Sequence, residues 1–427
     1  MKPWLALLLL PCLAVAQEDD PWADEDWGDD EWADEDQGMV WSGFVEGALG
    51  TRFSEDPLVN QRETLGDLRA RIETEWQPEN LTVGLKADVG YDAVESEWIG
   101  ELRDLSVSFS RGKLDAKVGR QVQTWGTGDL LFLNDLFPKD FVSFFAGRDD
   151  EYLKAPGDAV RATWYNDTVN ADFVWTPIFE PDVYLNGERF SFFFPLAGGN
   201  VAPEPPLRAE CPDKDFSNGE FALRLFKTVR GREYAFYAYR GFFKQPSALT
   251  PDLRPTFAPL NAYGASLRRP AGPGLFNAEA SYYDSRDDRS GTDPFTPNDQ
   301  LRLLAGYEWE AKPSFTVGFQ YYLEWTLDHD DLIANSPFPE FEPDERRHVL
   351  TNRLTYRTGR DRYTWSMFTF LSPSDRDFYI RPSLTWRYSD EWTFTAGANL
   401  FGGDEPQTFF NQLADASNIY LRVRFNY

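Results

Sequence analysis

Arginine and lysine recur at alternate positions along this chain, a spacing that lets cationic side chains act together on an anion. Arg69 and Arg71, and again Arg422 and Arg424, stand two residues apart, so in an extended backbone each pair shares one face. Reading the neighbouring segments in phase adds Lys86, Arg161, Arg224, Arg302, Arg353 and Arg381 to that face, with Lys117, Arg240, Arg268 and Arg387 on the same reckoning. Acids in this phase are fewer: Asp67, Glu73, Glu75, Asp88, Asp115, Glu279, Glu308, Glu310 and Glu324. A row of guanidinium groups attracts carboxylates and other anions through charge-assisted hydrogen bonds. The structural alternative for any one of them is an Arg–Glu brace between strands.

Acid–base chemistry has little to work with. The chain holds only two histidines. His329 sits in Asp328-His329-Asp330-Asp331, a polar loop in which a lone imidazole is solvated. His348 stands where a strand begins. Neither belongs to a G-x-S-x-G nucleophile motif. Zinc-type Cys/His spacing and phosphate-cradling glycines are also lacking. The reading is therefore not an enzyme, with no metal or cofactor. Net charge is −28 over 427 residues, which argues against nucleic acid, whose phosphates need a basic surface.

The start of the chain reads as a processing signal. Lys2 supplies a basic end, residues 5–10 an apolar run, and Ala14-Val15-Ala16 a small-x-small cleavage site. Residues 1–16 are thus expected to be a secretory signal peptide. The mature chain from Gln17 would keep one cysteine, Cys211, so no internal disulfide can form, which fits bacterial export. Residues 17–38 form an acidic tail with three copies of a five-residue unit beginning at Trp22, Trp27 and Trp32. Twelve carboxylates and no Lys or Arg in residues 17–37 cannot bury a core, so this tail is expected to stay unfolded on the periplasmic side.

From Val40 the pattern becomes alternation with period two, the mark of strands with two unlike faces. At the C-terminal end Ile419, Leu421, Val423, Phe425 and Tyr427 fall on one face, and Tyr420, Arg422, Arg424 and Asn426 on the other. Residues 66–76, 80–92 and 315–325 obey the same scheme. Such faces suit a soluble sandwich, with the apolar side inward, or a membrane barrel, with the apolar side on lipid. Aromatic residues close the apolar faces (Trp76, Tyr91, Trp309, Trp325, Trp386, Trp392, Tyr427), where a barrel needs interfacial girdles. Short polar turns near residues 77–80, 111–113, 166–167, 230–233, 270–274, 311–314, 358–361 and 389–391 alternate with nine longer segments. Eight turns and nine loops give seventeen connections and hence eighteen strands. The fold expected for residues 39–427 is all-β, a transmembrane antiparallel up-and-down barrel of about 18 strands, with 16 as the fallback because residues 363–370 are ambiguous in phase.

Three stretches carry a resemblance. Tyr427 ends a dyad-repeat strand, with Phe425 on the same face. Gly119-Arg120-Gln121, Trp125-Gly126, Gly128-Asp129 and Asn134-Asp135-Leu136-Phe137-Pro138 form a block, and Asn399 to Gly403 with Asn418 to Arg422 form a closing hairpin. In these the chain resembles Gram-negative outer-membrane porins, in the style of alginate-export and substrate-specific porins and porin-like families of unknown function. The resemblance implies that Phe425 and Tyr427 act as an assembly signal read by the barrel assembly machinery, and that the barrel stands alone as a monomer in the cell outer membrane, against lipid and lipopolysaccharide.

A closed barrel of this size leaves a lumen too wide for side chains to fill. The segment 121–156 needs burial for its apolar run 141–146, and the lumen wall is the nearest place. It is expected to fold inward as a constriction loop bearing Arg120, Trp125, Asp129, Asn134 and Asp135. Residues 177–217 are expected to lie over the mouth. Basic residues lining a pore favour anions, so the function expected is passive, selective diffusion of small hydrophilic, anionic solutes. The alternative is a barrel serving an export or envelope assembly complex, with a periplasmic protein docked on residues 17–37.

Overall fold

The computed structural model describes residues 39–78 and 80–427. The signal segment 1–16 and the tail 17–38, with Trp22, Trp27 and Trp32, lie outside the described residues. Eighteen strands pair in one antiparallel sheet. They are β1 Val40–Arg52, β2 Glu63–Trp76, β3 Leu81–Asp92, β4 Glu97–Arg111, β5 Leu114–Val122, β6 Pro156–Trp164, β7 Asn170–Thr176, β8 Glu220–Val229 and β9 Arg232–Phe242. The second half is β10 Pro259–Ala271, β11 Gly274–Ser285, β12 Gln300–Lys312, β13 Phe315–Thr326, β14 Arg346–Thr358, β15 Tyr363–Ser372, β16 Asp377–Arg387, β17 Trp392–Gly403 and β18 Asn418–Asn426. Each strand pairs with the next in sequence, and β18 returns to β1 in a ladder running from Phe44 opposite Asn426 to Arg52 opposite Asn418. The sheet has no free edge. In hydrocarbon that closure is obligatory, because each unpaired backbone group there costs several kcal/mol.

Exposure fixes which face is which. Along β2, Leu68 and Ile72 are 61% and 44% exposed, whereas Arg69 and Arg71 between them are 4% and 3% exposed. The apolar residues point outward and the charged residues inward, the arrangement of a membrane barrel and the reverse of a soluble sandwich. Aromatics flank the outer apolar band. Trp386 stacks on Tyr363 at the turn end, and Trp98 meets Tyr91 edge-on at 5.4 Å at the loop end.

The strand count of eighteen holds, and β15 explains why its phase was hard to read. Phe368 and Phe370 point inward with Ser366, while Trp365, Met367 and Leu371 face out. Both faces of β15 are apolar because an inserted loop covers the inner one. Arg240 departs from the expected phase. Tyr237 and Tyr239 are the buried, inward residues of β9, and Arg240 is exposed opposite Phe221 on the outer side.

Candidate functional site

The long connection between β5 and β6, residues 123–155, reaches strands on every side of the ring, which is possible only from inside the barrel. On β11, Glu279 accepts from the backbone N–H groups of Thr127 and Gly128 and from Asn134 Nδ2 at 2.7 Å. On β13, Gln320 exchanges two hydrogen bonds with the Asp129 backbone. On β14, Arg353 grips the Asp129 carboxylate. On β7, Asp172 accepts from Trp125 Nε1 at 3.2 Å. On β17 and β18, Asn399 and Asn418 both donate to the Phe145 carbonyl at 3.1 Å.

Local chemistry shapes this loop. Asp140 caps the helix α1, Phe141–Ala146, by accepting from Ser143 N, and Gly147 ends it in the left-handed conformation, which suits glycine. A side chain at Gly147 would also run into the Tyr420 ring. Trp125 packs edge-on against Phe137 at 5.0 Å. Asp135 accepts from Thr124 Oγ1 and from Lys139 Nζ. Asn134 fits against the wall because β10 has Gly264 there, where a Cβ would collide with its amide oxygen.

Of the five residues assigned to this loop, Trp125, Asp129, Asn134 and Asp135 lie in it. Arg120 does not. It belongs to β5, on the opposite face from the buried Gln121, and bonds the Leu102 carbonyl, Asp158 and Glu180. The loop begins after Val122, so Arg120 precedes the point where the chain leaves the wall.

Each of the ten cations assigned to the lumen has a carboxylate within ion-pair distance. Arg69 meets Asp67, Asp88 and Glu101. Arg71 meets Asp88 at 2.6 Å and Glu151 at 2.7 Å. Lys86 pairs with Glu73, Arg161 with Asp172, Arg224 with Glu233 and Arg302 with Glu324. Arg353 pairs with Asp129 and Arg381 with Asp150. Arg422 and Arg424 share Asp149 and Glu46. The excess of base over acid counted by phase is therefore met by acids that phase did not reveal, namely wall residues Glu46, Glu101, Asp172 and Glu233 and loop residues Asp129, Asp149, Asp150 and Glu151.

Other cations join them unforeseen. Arg103 and Asp104 both point inward because β4 carries a bulge there, with Lys86 opposite Asp104 and Ala87 opposite Leu102, and an extra residue flips the alternation. Arg103 donates to the carbonyls of Glu151 and Lys154. Arg148, in the loop, clamps Asp67 and Asp92 at 2.7 Å each. Arg189, from residues 177–219, is buried against Asp92, Glu95 and the Thr64 carbonyl. That second long loop also binds the first directly: Val183 exchanges backbone bonds with Lys139 and Phe141. The buried Asp182 carboxyl accepts from Lys139 N and Gln245, and burial pushes its pKa up to about 6 against the opposing pull of Lys139.

Between the loop and the wall lies a polar cleft of about 190 Å³. Arg353, Arg381 and Arg422 line it from the strands and Asp149 and Asp150 from the loop, with Ser366, Ser383, Thr385 and Thr395 between them. Burial opposes ionisation of Asp149, but Arg422 and Arg424 overcome it and hold the carboxyl below its ordinary pKa. Arg422 Nε is buried without an acceptor among the described residues. His348 and His329 lie apart from this cleft: His348 Nδ1 faces the Tyr321 hydroxyl and His329 Nε2 the Pro343 carbonyl, each at 2.8 Å.

The end of β18 is fastened to β1 and β2. Tyr427 and Gly43 exchange two backbone bonds at 3.1 Å, the Tyr427 hydroxyl donates to the Arg71 carbonyl at 2.8 Å, and Phe425 packs on Trp392 at 5.0 Å.

No protein-family model matches the chain, and no curated sequence matches it. Solved structures do match. OccK5 (OpdH) of Pseudomonas aeruginosa is similar at 10% identity with a TM-score of 0.56, over 91% of this chain and 97% of that one. OccK11 (OpdR) of the same organism is similar at 10% identity and a TM-score of 0.53, over 91% and 95%. OccAB3 of Acinetobacter baumannii is similar at 10% identity and 0.53, over 91% and 99%. At such identity the likeness is one of fold, and the fold is an outer-membrane, porin-like β-barrel of eighteen antiparallel strands.

Proposed function

We propose that this chain is a channel of the Gram-negative outer membrane that lets small hydrophilic anions diffuse through its lumen. The observation that supports it best is the cleft between loop and wall, where three guanidinium groups face two carboxylates. A small carboxylate entering there replaces water at donors already held in place, and the serines and threonines around it provide polar steps on either side. Basic groups at a constriction lower the entry barrier for negative charge. The outer apolar band requires lipid around it, with lipopolysaccharide on the loop side, and the Phe425–Tyr427 ending is proposed as the signal the barrel assembly machinery reads.

Reversal potentials across a planar bilayer in asymmetric salt test this reading. The expected result is a potential displaced toward the anion value, and displacement toward the cation value overturns it. The threefold Trp-acidic repeat of residues 17–37 supports a second reading, in which the tail docks a periplasmic protein and the barrel serves an assembly or export complex. Pull-down with residues 17–37 as bait separates the two. A specific periplasmic partner favours the second reading, and no capture leaves the channel to act alone.

A further inference from the structure

The lumen cations named above have carboxylate partners, but the outer face of the wall at the short-turn end carries cations that do not. On β8, Phe221 and Leu225 face outward, and so by alternation does Lys227, which stands opposite the outward Tyr234 of β9. Arg232 lies on the same outward row, opposite Val229. On β10, Arg269 stands opposite Phe276, with 5.7 Å from its guanidinium carbon to that ring centre. Further round, Lys312 Nζ lies 5.4 Å and 5.2 Å from the ring centres of Phe315 and Tyr356. Among the described residues none of these four cations has a carboxylate within ion-pair distance, and Lys227 Nζ donates instead to the Asp167 carbonyl at 2.7 Å.

The strand acids at this end lie on the other face. Glu233, Glu308 and Glu310 alternate with the outward Tyr234, Tyr307 and Trp309, and Glu233 is taken by Arg224 at 2.7 Å. In a chain with 70 acids against 42 bases, cations left unpaired on one outer stretch mark a place for negative charge that the wall does not supply. Their depth is set by the side chains beside them. Tyr307 stacks on Trp309 at 5.4 Å, and with Tyr234 and Phe276 these rings form the turn-end girdle, which lies at the membrane interface. Long basic side chains at that level keep their stems on apolar surface and carry their charge to the headgroups.

We infer that Lys227, Arg232 and Arg269 form a site for the phosphate of an anionic diacyl phospholipid in the leaflet at the short-turn end. The two guanidinium groups offer paired N–H donors to phosphate oxygens, and the acyl chains lie along Leu225 and Phe236, which face each other on the outward row. A zwitterionic headgroup brings its own ammonium group and gains less from three cations. The inference rests on the membrane barrel and not on the anion preference of the lumen, because these side chains stand on the lipid side of the wall.

Native mass spectrometry of the refolded barrel in detergent tests this, with dioleoyl phosphatidylglycerol, dioleoyl phosphatidylethanolamine and inorganic phosphate as probes. The expected result is a phosphatidylglycerol adduct at about tenfold lower concentration than the phosphatidylethanolamine adduct. In Lys227→Gln/Arg232→Gln/Arg269→Gln the two lipids should bind alike, while the reversal potential across a planar bilayer is unchanged. Migration of the unheated protein on a denaturing gel verifies the folded barrel, and Arg232→Gln/Arg269→Gln serves if the triple variant does not fold. Equal binding of the two lipids by the wild type overturns the inference, as does a preference retained in a folded variant. Displacement of the bound lipid by equimolar inorganic phosphate overturns it too, since the site is then one for a free ion. Lipid preference in a barrel that proves cation-selective supports the inference while overturning the solute reading.

Discussion

Arg381 on the wall donates to Asp150 on the inserted loop at 2.8 Å while its guanidinium covers the Phe144 ring. One side chain thus ties the loop to the barrel, lines the polar cleft and stacks on helix α1. Because Asp149 and Asp150 partly neutralise the arginines, the sign of the passage depends on their balance. Asp149→Asn/Asp150→Asn is predicted to strengthen anion preference, and Arg381→Gln/Arg422→Gln to weaken or reverse it. Reversal potentials in asymmetric salt measure both. Equal shifts in the same direction from the two variants would contradict this assignment.

The loop is held most economically at Glu279, where one carboxylate takes three donors from Thr127, Gly128 and Asn134. Glu279→Ala leaves these donors unpaired, at about 1–3 kcal/mol for each that stays buried. Loop docking should loosen, with larger and noisier single-channel conductance. Gly264→Leu reaches the same end by filling the space Asn134 occupies. Conductance equal to wild type in both variants would show that this loop does not set the bore.

The contact between the two long loops should depend on pH. The Asp182 carboxyl has its pKa raised to about 6 from 3.8, so the packed state favours the protonated form. Its contribution is therefore complete below about pH 3.8 and is lost as pH rises through about 6. The full swing is about 3 kcal/mol. Protease cleavage within residues 177–219 should rise between about pH 4 and 6 in the wild type and level off above, and Asp182→Asn should remove that rise. A rise unchanged in the variant would place its origin elsewhere.

Closure of the ring runs through Tyr427, whose hydroxyl bonds the Arg71 carbonyl two strands away. Tyr427→Ala removes that bond and one member of the outer girdle. The fraction of protein migrating as a folded barrel in an unheated denaturing gel should fall. A fraction equal to wild type would remove Tyr427 from assembly and closure alike.

Strand number and the facing of most strands were legible because period two leaves a record at each residue: Leu68, Arg69, Arg71 and Ile72 announce both faces of β2. The pattern failed where something other than lipid covers a strand or where the ladder is irregular. Phe368 and Phe370 are apolar yet inward, because the loop lies on them. Arg103 and Asp104 share a face through a bulge that no residue type announces. The ion pairing of the lumen was largely hidden, since Asp149, Asp150 and Glu151 sit in a loop with no period at all, and only the folded chain shows that they return to Arg71, Arg381 and Arg422. The apolar cavity at the loop end of the barrel was hidden for the same reason, its phenylalanines being scattered over five loops.

Diffusion through the barrel requires that the outward leucines, valines and tryptophans contact acyl chains around a water-filled interior. Size-exclusion chromatography of the refolded chain, with and without detergent, tests this most directly. A monodisperse species in detergent that aggregates on its removal is predicted; a monodisperse species in plain buffer would contradict the membrane barrel and the transport that depends on it.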